Sequence, residues 1–183
     1  MTAPHLSPAE LKALVRTVPD FPHAGIQFRD ITTLIGHHQG MAASVHHLAQ
    51  LAAAAGAHKI AGMEARGFIF GAAVAVQLGV GFVPVRKPGK LPIETIGIEY
   101  ALEYGTDRLE MDPGAVEPGQ KVVIVDDLIA TGGTALASAE LLRKAGAVIE
   151  QALFVIDLPD LGGAERLRQA GIAVAALMEF EGD

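Results

Sequence analysis

The sequence contains no cysteine, and it is poor in basic residues and in long apolar runs. Without cysteine, the chain forms no disulfide and performs no thiol chemistry. Lysine and arginine number 14 against 21 aspartates and glutamates, and the net charge of −7 argues against a broad nucleic-acid surface. No uninterrupted apolar run is long enough to span a membrane, and no basic-then-apolar signal opens the chain. We therefore expect a cytoplasmic protein with neither membrane nor nucleic-acid partners.

The chain has 183 residues, and half of them belong to the hydrophobic set. This length suits a single domain over residues 1–183 with one substantial core. Strand-like and helix-like patterns alternate along the chain, which predicts an α/β fold: a doubly wound, mostly parallel sheet with helices on both faces. The run Ser7-Pro8-Ala9-Glu10 predicts a helix start with a capping box.

The most informative stretch covers residues 122–134. Four apolar β-branched residues open it and predict a buried parallel strand, and Asp126 and Asp127 follow at the carboxyl end. Next comes a loop of small and hydroxyl-bearing residues: Ala130, Thr131, Gly132, Gly133 and Thr134. A helical pattern follows the loop. Loop amides and a helix N-terminus at this point of an α/β sheet bind phosphate, so we expect the loop to hold one.

The loop is not a Walker A motif, because no lysine follows Gly132-Gly133. The acidic pair Asp126-Asp127 precedes the loop and can hold two hydroxyls of a ribose there. A sugar phosphate with a free cis-diol therefore fits better than ATP, while an ordinary strand–turn–helix is the alternative. The stretch resembles the signature that binds 5-phosphoribosyl 1-diphosphate (PRPP) in the type I phosphoribosyltransferases. The resemblance implies that the acidic pair binds the ribose and that residues 130–134 bind the 5′-phosphate.

A second strand–loop–helix pattern covers residues 59–78 and places Arg66 in the turn. A surface ion pair is the alternative for this arginine, but its place at the carboxyl end of a strand suits a second anion site. The run 64–71 resembles the family's pyrophosphate loop. The resemblance implies that Glu64, Ala65 and Arg66 bind pyrophosphate and that Arg66 is catalytic. It also implies a cis peptide between Glu64 and Ala65.

Residues 86–92 hold three cations within five residues, interrupted by proline and glycine, so they form neither a stable helix nor a central strand. A solvated charge cluster is the alternative. The run resembles half of the family's mobile loop, and with the hairpin that follows it implies a flexible lid over residues 87–108. The implied pyrophosphate ligands are Arg86, Lys87 and Lys90. Within the lid, Glu103 corresponds to the family's proposed catalytic carboxylate and Tyr104 to the aromatic residue beside it.

Residues 20–32 combine proline, glycine and two phenylalanines, which predicts a stiff, irregular segment. A loop pinned by Phe21 and Phe28 is the alternative to a functional role. In adenine-specific members of the family, the matching segment forms a hood over the base, and residues 1–35 would supply the N-terminal helix and this hood. The implied adenine-binding residues are Gln27, Phe28, Arg29 and Leu158. For Leu158, a place in the core is the alternative.

Four stretches match the family in the same order, at residues 20–32, 64–71, 86–92 with 99–105, and 122–134. The resemblance implies a pentosyltransferase of purine salvage that moves the 5-phosphoribosyl group from PRPP to adenine and gives AMP and pyrophosphate. It implies a homodimer, and Mg²⁺ held mainly by PRPP and water without a certain protein ligand. The alternatives are a phosphoribosyltransferase for xanthine or hypoxanthine, and a PRPP-binding regulator without catalysis.

Overall fold

The fold was analysed in a computed structural model that describes residues 6–101 and 105–182. The strands are β1 (Arg16–Pro19), β2 (Gln27–Asp30), β3 (Lys59–Met63), β4 (Gly81–Val85), β5 (Ile96–Ala101), β6 (Thr106–Met111), β7 (Val122–Ile129), β8 (Gln151–Asp157) and β9 (Ala173–Glu179). The helices are α1 (Pro8–Ala13), α2 (Thr32–Gly36), α3 (His38–Ala54), α4 (Arg66–Leu78), α5 (Gly133–Lys144) and α6 (Gly163–Gln169). The predicted capping box is present, because the Ser7 amide donates to Glu10 Oε2 and the Ser7 hydroxyl accepts from the Glu10 amide.

Five strands form the central sheet in the order β4–β3–β7–β8–β9, and all neighbours in it are parallel. The chain winds in one direction from β3 to β4 and in the other from β7 to β9, so the reversal lies between β3 and β7. Open α/β sheets bind ligands beyond the carboxyl ends of the strands at this reversal. The topology therefore places the loops after β3 and β7 side by side.

Two apolar clusters cover the two faces of the sheet. One joins side chains of α1, α3 and α4 to strand residues such as Val123 and Val125. The other joins α5 and α6 to strand residues such as Ile124 and Phe154. Because alternate residues of a strand point to opposite faces, this division follows from the apolar run in β7. The predicted doubly wound fold with helices on both faces is confirmed.

Two antiparallel hairpins flank the sheet. β5 pairs with β6, with Ile96 opposite Met111 and Ala101 opposite Thr106, as the sequence predicted for the start of the lid. β1 pairs with β2, with Arg16 opposite Asp30. Among the described residues, every helix is too short or too polar to cross a membrane.

Two local predictions are corrected by the structure. The segment 20–32 is not irregular throughout, because its Gln27–Asp30 portion is strand β2. β1 provides the partner: Val18 precedes a proline, which disfavours helical backbone and keeps this part of the chain extended. Strand β7 also runs further than predicted, so Asp126 and Asp127 lie within it rather than after it. Asp126 is still paired with Phe154 of β8, which keeps the backbone extended there.

Candidate active site

A cleft of about 410 Å³ lies where the loops after β3 and β7 meet. It is lined by Met63, Glu64, Ala65, Arg66, and the continuous run from Asp126 to Ala135. The structure therefore brings together both predicted anion loops and the acidic pair. They are about sixty residues apart in sequence, and the parallel pairing of β3 with β7 is what joins them.

The loop 130–134 has the backbone of an anion site. Gly132 adopts φ +77°, a left-handed conformation that glycine accepts without cost. This turn starts α5 at Gly133, so the first amides of the helix face the cleft without partners from a preceding turn. Thr131 and Thr134 add hydroxyl groups to the lining.

A residue outside this loop keeps it in place. The amide of Gly163, at the start of α6, donates to the Ala130 carbonyl oxygen at 3.0 Å. A Cβ atom on Gly163 would lie 2.2 Å from that oxygen and 2.7 Å from the Gly132 nitrogen. Only glycine permits so close an approach of the two backbones. Nothing in the local sequence pattern assigned Gly163 to the site, because the contact is made across the fold.

The acidic pair is held by contacts on both sides of the cleft. Asp127 Oδ2 lies 2.5 Å from Arg66 Nε, and Asp126 Oδ1 accepts from the Asp127 amide at 2.9 Å. Burial raises the pKa of Asp126 well above its ordinary value, and the neighbouring charge of Asp127 raises it further. A Cβ on Gly67 would lie 2.7 Å from Asp126 Oδ1, so glycine allows α4 to approach the pair.

The pyrophosphate loop contains the cis peptide that the resemblance implied between Glu64 and Ala65. Arg66 follows it, more than half exposed, and its partner in the described residues is Asp127 of the acidic pair. This arginine therefore faces the cleft instead of forming a separate surface ion pair.

The cationic residues after β4 lie beside the cleft and do not line it. Arg86 Nε donates to Glu64 Oε2 at 3.2 Å, and the Lys87 amide donates to the same oxygen at 3.0 Å. The amide bond from Lys87 comes first among the causes that lower the pKa of Glu64. The Lys90 carbonyl oxygen accepts from Arg86 Nη1 at 3.0 Å. Lys87 Nζ points away from Glu64 and pairs with Asp107.

A second pocket, of about 400 Å³, adjoins the cleft and is mostly apolar. Its lining consists of Ile26, Gln27, Phe28, Arg29, Arg66, Leu128, Thr131, Leu158 and Leu161. All four predicted adenine-binding residues are among these, whereas the sequence gave no reason to expect the other apolar side chains here. The two cavities share Arg66, Leu128 and Thr131, so a ligand extends from one into the other.

The Arg29 side chain fixes the hood to the end of the chain. Its guanidinium donates to Thr17 Oγ1 at 2.8 Å and to the Glu181 carbonyl oxygen at 2.7 Å. It also lies 4.7 Å from the centre of the Phe180 ring. These contacts occupy the guanidinium and leave the backbone of β2 at the pocket. The predicted lid residues Glu103 and Tyr104 lie outside the described residues.

Comparison with known proteins identifies the family. Residues 32–167 match the model of the phosphoribosyl transferase domain. An adenine phosphoribosyltransferase of Erythrobacter litoralis is 74% identical over 173 residues, which are 94% of this chain and 97% of the relative. The chain belongs to the adenine phosphoribosyltransferase family. The predicted family and the predicted enzyme class, a pentosyltransferase acting on adenine, are confirmed.

Solved structures of the family share the fold. The crystal structure of adenine phosphoribosyltransferase from Thermoanaerobacter pseudethanolicus has a TM-score of 0.89 and 48% identity, covering 95% of this chain and 100% of the other. The enzyme from Saccharomyces cerevisiae, complexed with an imino-altritol bisphosphate and adenine, has a TM-score of 0.86 and 38% identity. That comparison covers 93% of this chain and 98% of the yeast chain.

Proposed function

We propose that this enzyme transfers the 5-phosphoribosyl group from PRPP to adenine and releases AMP and pyrophosphate. The observation that carries the proposal is the meeting of two cavities at Arg66 and Thr131. One cavity offers amides, hydroxyls and carboxylates to a sugar phosphate, and the other offers apolar side chains to a flat base. A nucleotide has this combination of ends. The yeast relative, solved with adenine and a bisphosphate, supports the same division.

Each part of the site has a role in the proposed reaction. Residues 130–134 bind the 5′-phosphate, and Asp126 and Asp127 hold the ribose hydroxyls. Adenine N9 forms a bond to the anomeric carbon as the bond to pyrophosphate breaks, and the departing pyrophosphate takes the electron pair. Arg66 and the loop amides after β3 stabilise that growing negative charge. The N9 proton leaves the base, and we assign Glu103, next to Tyr104, to accept it or to hydrogen-bond the imidazole edge.

The base pocket selects a flat and largely apolar ligand. Leu158 is only 6% exposed and packs against the face of adenine in the proposed complex. The backbone groups of Gln27, Phe28 and Arg29 meet the edge of the base. This assignment is supported by the guanidinium contacts of Arg29, which direct its charge away from the pocket.

The residues of the cleft fit a magnesium ion carried in by the substrate. Within 6–101 and 105–182, no three carboxylates and histidines converge on one point. Two carboxylates do line the cleft, and Mg²⁺ commonly uses one or two carboxylates together with phosphate oxygens and water. Asp126 and Asp127 are the protein groups that would contribute. When bound, the ion neutralises charge on the pyrophosphate. Arg86, Lys87 and Lys90 add positive charge near the same group.

We also propose a homodimer. Helix α4 exposes Ile69 and Val76, which are seven residues apart and therefore lie on one side of the helix. Val76 is 82% exposed, which is unusual for an apolar residue of this size in a monomer and supports an interface. A mass measurement in solution on the wild type and on Val76→Lys tests this point. A cytoplasmic location stays a prediction.

A base panel tests the proposed reaction. The enzyme is incubated with PRPP and with adenine, hypoxanthine or xanthine, with and without Mg²⁺, and the nucleotide is separated by chromatography. We expect AMP and pyrophosphate in equal amounts from adenine, with a strong dependence on Mg²⁺. Preferred turnover of hypoxanthine or xanthine would assign a different base. PRPP binding without any nucleotide would instead indicate a regulator that has lost catalysis.

A further inference from the structure

A chain of side-chain contacts joins the phosphate loop to the hairpin β5–β6 and ends on a lysine. Thr134 Oγ1 lies 3.3 Å from the Tyr100 hydroxyl oxygen, which lies 3.1 Å from Asp107 Oδ2. The same carboxylate oxygen accepts a hydrogen bond from Lys87 Nζ. All four side chains are partly buried. We call this set Thr134, Tyr100, Asp107 and Lys87 the relay.

Counting protons gives the direction of each hydrogen bond. A tyrosine hydroxyl has one proton, and a carboxylate is a stronger acceptor than another hydroxyl, so Tyr100 donates to Asp107. The Tyr100 oxygen then accepts from the Thr134 hydroxyl, and also from Lys87 Nζ at 3.4 Å. The single hydroxyl proton of Thr134 is thus used by Tyr100, and it is the proton that a phosphate in the loop needs.

The other end of the relay is a charged pair. The hydrogen bond from Lys87 is the largest cause that lowers the pKa of Asp107. Burial lowers the pKa of Lys87, but hydrogen bonds to Asp107 and Tyr100 outweigh it and raise the pKa above its ordinary value. Both groups are therefore charged at neutral pH. The Lys87 amide contacts Glu64 of the pyrophosphate loop, while its ammonium is held by Asp107.

We infer that Tyr100 and Asp107 are positioning residues that hold Lys87 away from the pyrophosphate until a phosphate occupies the loop 130–134. A phosphate takes the Thr134 proton, Tyr100 loses that donor, and the hold of Tyr100 and Asp107 on Lys87 weakens. Lys87 then becomes available to the second anion. The inference rests on the proposed function, since it requires the 5′-phosphate at Thr134 and the pyrophosphate near Glu64.

The first test measures pyrophosphate binding by calorimetry at fixed Mg²⁺ and ionic strength, without a sugar phosphate. Asp107→Asn keeps the size of the side chain and removes the charge that holds Lys87. We expect its pyrophosphate Kd to fall about threefold, the scale of a partly exposed ion pair. Glu99→Gln removes one negative charge from the exposed side of the same hairpin and should change the Kd less. A relay that merely anchors the hairpin predicts the opposite sign, so unchanged or weaker binding by Asp107→Asn overturns the inference. An equal gain in both variants also overturns it.

The second test measures coupling between the two anions. The ratio of the pyrophosphate Kd without ribose 5-phosphate to the Kd with it is compared in wild type and Tyr100→Phe, which loses only the hydroxyl. Coupling of this kind is reciprocal, so either ligand can be titrated first. We expect the ratio to be about threefold smaller in Tyr100→Phe, since one hydrogen bond of the relay is lost. If the wild type binds both anions and the ratio does not change, the relay is wrong although the proposed function stands. If the wild type binds neither anion, both are wrong.

Discussion

Gly163→Ala tests whether the position of the phosphate loop controls activity. The added Cβ would lie 2.2 Å from the Ala130 carbonyl oxygen, whereas ordinary contact begins at 3.4 Å, so the backbones must separate by about 1.2 Å. Helix α6 is anchored by Leu167, which is fully buried, so the loop takes up much of that movement. A misplacement of about 1 Å in an active site can cost roughly 10²-fold in rate.

We therefore expect Gly163→Ala to lower kcat/KM for PRPP on the order of 10²-fold, with a stability loss of about 1–3 kcal/mol from overpacking. The matched control is Gly162→Ala. Gly162 has φ +72° and open space at the Cβ position, so alanine there costs about 1–2 kcal/mol of backbone strain without pushing on the loop. Steady-state kinetics and thermal unfolding are measured on both variants. If Gly163→Ala keeps normal kcat/KM at a temperature where it is folded, the loop is not the phosphate site.

Three further predictions concern single side chains. Asp126→Asn should be more stable than wild type above about pH 4, with the gain growing as pH rises, because a carboxyl whose folded pKa is raised loses stability when it ionises; its PRPP affinity in calorimetry should fall. A pH series of melting temperatures in which Asp126→Asn is the less stable protein at neutral pH contradicts this. Leu158→Ala should raise the KM for adenine about tenfold or more, since roughly 2–5 kcal/mol of packing is at stake, and a normal KM would return Leu158 to a purely structural role. Glu103→Ala should lose on the order of 10²-fold in kcat with PRPP affinity little changed, and Glu103→Gln should fall between; near-normal kcat with weaker adenine binding would make Glu103 a base-recognition residue.

Local patterns in the sequence were sufficient for the central sheet and its two loops. The β-branched run 122–125 and the strand Lys59–Met63 each precede a glycine-containing turn and a helix, and both were predicted in place. Pattern and turn chemistry act over a few residues, so they show in the sequence directly. The rule that parallel strands end at one edge then brought Arg66 to the acidic pair.

Contacts across the fold were not predictable in the same way. Gly163 approaches the phosphate loop from α6, and Tyr100 reaches Thr134 from a hairpin, although neither residue lies in a pattern that indicates this. Arg29 was expected near the base, but its guanidinium is fixed to Thr17 and Glu181. The β1–β2 hairpin was missed because its strands are short and each borders a proline or glycine turn, so that pairing, more than propensity, decides the structure.

A crystal structure of the enzyme with AMP would test the central claim most directly. The account predicts that the phosphate lies among the amides of 131–134, that the ribose hydroxyls meet Asp126 or Asp127, and that adenine packs on Leu158 beneath the backbone of Gln27–Asp30. The measured quantities are the distances from the phosphate oxygens to those amides, expected at hydrogen-bond length, about 2.7–3.2 Å. A phosphate bound beside Arg86 and Lys87, with the base outside the pocket of Leu158, would contradict the account.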